Sequence, residues 1–105
     1  PANETTSVVT LDPNLEQEIM ASLKQTEQGA YMTLDPAKTK SIMESLGVEI
    51  KKLEDLGKIP LVITSPIVRA YFKKLTEDYY KDLVVVSYNE VESSVELQSV
   101  GMVTA

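Results

Sequence analysis

Pro60-Leu61-Val62-Ile63-Thr64, followed at once by Ser65-Pro66 and then Ile67-Val68-Arg69, is the stretch on which the fold turns. A short run of apolar and β-branched residues between two prolines reads as a strand. Ser65 then suits a helix N-cap, because its hydroxyl can accept a free backbone N–H of the first turn. Pro66 suits the first helical position, where no N–H is needed. A helix is predicted behind it, with Ile67, Tyr71, Leu75 and Tyr79 at spacings of four on one face.

The same grammar occurs twice upstream. Val8-Val9-Thr10-Leu11 precedes Asp12-Pro13, after which Leu15, Ile19 and Leu23 fall one per turn and Gly29 stands as a stop. Tyr31-Met32-Thr33-Leu34 precedes Asp35-Pro36. Ile42, Met43, Leu46, Ile50 and Leu53 then form the apolar stripe of a second helix, closed by Gly57. Gly47 inside that helix costs about 1 kcal/mol relative to Ala, which marks a close contact or a kink. Residues 8–23 and 31–46 agree at 8 of 16 positions, as an old duplication or as two turns converging on one cap chemistry.

Downstream, Leu83 to Ser87 is predicted to be a strand buried on both faces, and Tyr88-Asn89-Glu90 a turn. Val95 to Val103 is predicted to be the last strand, with an irregularity near Gly101. The fold class is therefore α/β: three strand–helix units followed by two closing strands, in a mixed sheet whose final pair is expected to be antiparallel. Residues 1–7 are polar and expected to be a linker, leaving 8–105 as a single α/β domain.

Composition excludes several classes of function. A chain of 105 residues with 43% apolar and 25% charged residues is one globular domain. Its net charge of -6 disfavours binding to nucleic acid or to anionic lipid, both of which repel an acidic surface. The absence of Cys and His removes disulfides, thiolate metal sites, the commonest general base and every Ser-His or Cys-His nucleophile pair. No run approaches the ~20 apolar residues needed to cross a bilayer, so this stretch is expected to be soluble. Beginning at Pro1, it reads as a piece of a longer protein.

Asp12, Asp35, Thr64 and Ser65 stand at strand-to-helix turns, where ligands gather in α/β sheets. Capping accounts for Asp12, Asp35 and Ser65, each of which precedes a proline. The alternative is a stand-alone phosphorylation-dependent regulatory domain using Asp12 and Asp35. No catalytic, cofactor or metal constellation is readable, and a non-enzymatic role is expected. A candidate partner surface lies on the third helix. Arg69, Lys73 and Lys74 put positive charge there, and Tyr71, Phe72, Tyr79 and Tyr80 supply four of the six aromatic residues. Basic residues beside exposed aromatics are typical of interface anchors.

Three motifs in order carry a family resemblance. The first is Pro60 to Arg69, continued by Tyr71-Phe72-Lys73-Lys74-Leu75-Thr76-Glu77. The second is Val85-Val86-Ser87-Tyr88-Asn89-Glu90-Val91, and the third is Val95 to Val103 around Gln98-Ser99-Val100-Gly101. Together they resemble the FlhA (FHIPEP) family of flagellar and type III secretion export-gate proteins. The resemblance implies the last subdomain of a larger cytoplasmic region, a thioredoxin-like α/β variant. It implies a docking and assembly module, with no cofactor, in a homo-oligomeric cytoplasmic ring. The parent would be embedded in the bacterial inner membrane, and the ring would receive the ATPase complex, chaperones and export substrates. The family's chaperone groove lies in other subdomains, so this stretch is expected to lack it. Where the family often has Pro before the Val-Leu-Ser-Tyr strand, this chain has Tyr80-Lys81-Asp82.

Overall fold

A computed structural model describes residues 4–105. Four strands form one parallel sheet: β1 (Glu4–Leu11), β4 (Leu61–Thr64), β5 (Val84–Ser87) and β6 (Val95–Val103), in the order β5-β4-β1-β6. Two more, β2 (Leu23–Thr26) and β3 (Gly29–Met32), pair antiparallel as a separate hairpin. The helices are α1 (Pro13–Ala21), α2 (Pro36–Asp55) and α3 (Pro66–Thr76). Parallel and antiparallel pairing are thus divided between two sheets. The closing strands are not neighbours: β6 runs parallel to β1 at the opposite edge from β5.

The four parallel strands alternate side chains between two faces. Val9, Leu11, Val62, Val85 and Val103 face the buried residues of all three helices in one apolar cluster. Val8, Leu61 and Ile63 face the other way, with Val86 and Val91 packed against them. Val91 lies in the connection 88–94 that carries the chain from β5 to β6. As an edge strand, β5 alternates rather than being buried on both faces, and Val84 is exposed.

Local chemistry corrects several boundaries. Glu4 to Ser7 continue β1 and pair with β6 from Val95 to Gln98, so they are strand rather than linker; residues 1–3 lie outside the described residues. Helix α1 stops before Leu23, because the Ser22 hydroxyl donates to the Ile19 carbonyl at 2.7 Å. The Ser22 carbonyl in turn accepts from Thr33, both N–H and hydroxyl, at 2.9 and 2.7 Å. These bonds replace the next helical turn. Gly29, with φ +116°, serves the hairpin turn instead of ending a helix. On α3 the inward residues are Val68, Phe72 and Thr76, while Ile67 and Tyr79 are exposed, so the apolar stripe is one residue later than predicted.

The predicted α2 stripe is buried as read, and Gly57 follows the helix with φ +71°. The irregularity near Gly101 is a register shift: Val8 pairs with Ser99 but Val9 with Gly101, leaving Val100 over. Glu49 on α2 accepts the Met102 N–H at 3.0 Å and Ser45 accepts the Thr104 N–H at 2.9 Å, so side chains of α2 occupy this half of β6's outer edge.

Gly47 is a contact point within a continuous helix. A Cβ there would stand 2.7 Å from the Tyr80 hydroxyl oxygen and 3.7 Å from its ring. In an open helix Gly→Ala gains about 1 kcal/mol. Gly47→Ala should instead destabilise the chain, and in a Tyr80→Phe background, where the hydroxyl is gone, it should become stabilising. Denaturant unfolding of the four variants in this cycle reads the reversal of sign.

Candidate functional site

Two regions hold the residues singled out from the sequence. At the carboxyl end of the sheet, Asp12 and Ser65 occupy the N-cap positions of α1 and α3, but neither side chain makes a capping bond. Only Asp35 caps as predicted, its Oδ1 accepting the Ala37 N–H at 3.0 Å. The cap of α3 comes from elsewhere: Glu16 of α1 accepts the Ser65 N–H through Oε2 at 2.7 Å. A carboxylate there also suits the positive end of the helix dipole. The Ser65 hydroxyl is left buried without a partner. Glu16 was not legible as a cap, since its reach depends on α1 lying beside α3. Asp35 follows the hairpin rather than a strand of the parallel sheet, so the paired-aspartate arrangement of a phospho-acceptor domain loses its geometric premise.

The basic residues of α3 are largely engaged within the chain. Arg69 Nε lies 2.6 Å from Glu90 Oε1 as an ion pair, although its N–H is not aligned as a hydrogen bond. Lys73 donates to the Leu83 carbonyl at 2.6 Å, tying α3 to the start of β5. Lys74 is exposed. Of the aromatics, Phe72 is fully buried in the core and cannot anchor a partner. Tyr71 is half-buried against the core.

Tyr79 and Tyr80 belong to a different feature. After α3 the chain turns so that both line a groove of about 470 Å³ against the N-terminal half of α2, with Leu34, Pro36, Met43 and the stem of Lys40. Tyr80 donates its hydroxyl to the Met43 carbonyl at 3.3 Å, which fixes the floor, and Tyr79 stands exposed at the rim. Lys40 and Glu44 supply charges of both signs along the α2 side. The groove is apolar with a few polar groups, and Glu44 is the one carboxylate among its lining residues. Among the described residues no group of three or more Asp or Glu is placed to hold a metal ion.

Glu90 ties the start of the connection from β5 to the end of β5 and to α3. Its carboxylate accepts the Ser87 N–H and hydroxyl, both at 2.9 Å, across the short 3-10 turn Tyr88–Glu90. These bonds, first the backbone one and then the hydroxyl, hold its acid below the ordinary value of 4.5; desolvation opposes them, and Arg69 adds a lesser lowering. A lowered folded-state value contributes stability at higher pH that is lost on acidification. Wild type should exceed Glu90→Gln in stability by a constant margin above the ordinary carboxylate value of 4.5, with the margin shrinking as pH falls below it. Chemical unfolding of both proteins across pH 3 to 7 checks the trend, with the range set by ordinary carboxylate titration at about 4.

The FHIPEP family's sequence profile matches residues 1–96. Flagellar biosynthesis protein FlhA of Bacillus subtilis is 42% identical over 101 residues, 96% of this chain but 15% of that protein. Among solved structures, the Chlamydia pneumoniae CdsV protein superposes with TM-score 0.81 and 29% identity over 99% of this chain and 29% of its own. A nonameric EPEC SctV-C assembly gives TM-score 0.76 and 27% identity over 95% of this chain and 29% of its own. The chain therefore spans less than a third of each of these relatives. With the family profile matched over residues 1–96 and 42% identity to Bacillus subtilis FlhA over 96% of its own length, the chain belongs to the FHIPEP family of export-gate proteins.

Proposed function

We propose that this chain is the last cytoplasmic unit of an export-gate subunit, a docking and assembly module of a flagellar or virulence type III secretion apparatus rather than an enzyme. It works on the cytoplasmic side of the bacterial inner membrane, within a ring that receives the ATPase complex, chaperones and export substrates. The observation that carries the docking role is the groove between α2 and the Tyr79–Tyr80 segment. It presents an exposed aromatic beside a cation on a rigid helix, the composition of an interface anchor. The relatives support the wider setting. SctV-C has been solved as a nonamer, and CdsV in complex with CdsO.

The charges that sequence alone assigned to a partner surface contribute differently in this reading. Arg69 and Lys73 hold α3 to the connection 88–94 and to β5, and so keep Tyr79 and Tyr80 in place. Lys74 on α3 and Lys40 on α2 are exposed cations that this surface offers a partner.

Tyr79→Ala combined with Lys40→Glu should leave the thermal midpoint nearly unchanged, since exposed substitutions stay within about 0.5 kcal/mol. Export of a secreted substrate by cells carrying the doubly substituted parent should fall about tenfold, the loss expected from one truncated anchor. Unchanged export with an intact fold would remove the groove from the docking surface.

A further inference from the structure

The two walls of the groove differ in kind. One is α2, a continuous helix; the other is the segment 77–82 between α3 and β5, which is built of turns alone. α3 and the start of β5 hold this segment at its ends. The Tyr79 and Tyr80 N–H groups donate to the Thr76 carbonyl at 3.0 and 2.8 Å, and the Leu83 N–H donates to the Tyr80 carbonyl at 3.2 Å. Lys73 donates to the Leu83 carbonyl at 2.6 Å. Among the described residues a single hydrogen bond joins the segment to α2, from the Tyr80 hydroxyl to the Met43 carbonyl at 3.3 Å.

That bond is made beside the only glycine of α2. Met43 stands four residues before Gly47, so its carbonyl is the one to which the Gly47 N–H bonds in an α-helix. The Tyr80 hydroxyl reaches the same carbonyl through the notch left by the missing side chain. A Cβ at Gly47 would lie 2.7 Å from the hydroxyl oxygen but 3.7 Å from the ring carbon Cζ. The first distance is a clash and the second is ordinary packing. Glycine weakens a helix interior, and here it leaves room for a residue of the opposite wall.

We propose that Gly47 is a positioning residue of the docking groove. Its notch seats the Tyr80 hydroxyl, and that seat fixes the ring at the groove's floor. Tyr79 is the next residue along the backbone, so the seat also fixes where this exposed anchor stands in relation to Lys40 on the other wall. Tyrosine has only two rotatable side-chain bonds, so a hydroxyl driven from the notch carries the ring with it and changes the shape of the groove. This inference rests on the groove being a docking surface.

The test reads export by cells carrying the substituted parent, and amide resonances by NMR of this chain with the same substitutions. Gly47→Ala should lower export of a secreted substrate about tenfold, as for the loss of one anchor, and should move the resonances of Tyr79 and Tyr80. Adding Tyr80→Phe removes the clashing oxygen and leaves the ring in ordinary contact with the new methyl group, so most of the lost export should return. Ile50→Val, a core truncation of α2 outside the groove, weakens the fold to a similar degree and should leave export unchanged. A loss in Gly47→Ala that Tyr80→Phe does not restore, or that Ile50→Val matches, overturns the positioning role, because lost stability then accounts for it. Unmoved resonances in Gly47→Ala overturn it as well. Unchanged export in Gly47→Ala also overturns it: the docking reading still stands if Tyr79→Ala with Lys40→Glu lowers export, and both readings fall if that variant is silent too.

Discussion

One apolar layer organises this protein: the face of the parallel sheet formed by Val9, Leu11, Val62, Val85 and Val103, on which α1, α2 and α3 all lie. Parallel strands need long returns; those from β1 to β4 and from β4 to β5 run through helices that bury their stripes on this layer, while the return from β5 to β6 is the connection 88–94 on the other face. The helices therefore take their positions from the sheet and from each other. Phe72 of α3 and Leu15 and Ile19 of α1 are fully buried in the same cluster as Leu46 and Leu53 of α2. Removing so large a side chain as Phe72 from a packed interior typically costs about 3–5 kcal/mol, most of a small domain's stability.

The layer explains why polar groups outside it act between elements rather than within them. Because α1 and α3 are packed together, Glu16 can hold the N-cap residue of α3, which stands 49 positions later in the chain. Because α3 runs beside β5, Lys73 can reach the Leu83 carbonyl and Arg69 can meet Glu90. An isolated surface ion pair contributes little. The Arg69–Glu90 pair differs in that Glu90 also holds Ser87, so three elements share one carboxylate. The Tyr79–Tyr80 groove is the outward product of these ties. Its floor is set by Tyr80 resting against Gly47 and Met43, and neither contact is local in sequence.

The sequence was most legible where local rules and tertiary needs coincide. The α2 stripe and its closing glycine could be read because twenty residues of period 3.6 leave one solution. The three Pro-led helix starts were legible too, although two of the three caps turned out to be positional only. Leu23 misled because it continues the spacing of Leu15 and Ile19, while the bonds of Ser22 that end α1 come partly from Thr33, just after the hairpin's second strand. The shift on α3 has a similar source: Ile67 and Val68 are equally apolar, and only the position of the sheet selects Val68. Strand order lies beyond such signals, since it depends on which edges meet. Of the candidate partner residues, composition grouped seven on one helix and its tail. Packing divided them into a core aromatic, internal ties and a groove rim.

The pairing of the first strand with the last sets a condition on synthesis. Thr10 and Gly101, which touch through the Thr10 hydroxyl, are 91 positions apart. β1 receives one of its two neighbours only when β6 exists. Because a polypeptide leaves the ribosome amino end first, the three helices and β4 can gather while one flank of β1 is still bare, and closing so long a loop is slow. Val103, fully buried in the main cluster, belongs to that last strand. A product terminated before it would lack both that side chain and the partner of β1. Correct folding thus reports that translation has run through β6, and incomplete copies would be left with an exposed edge by which quality control can recognise them.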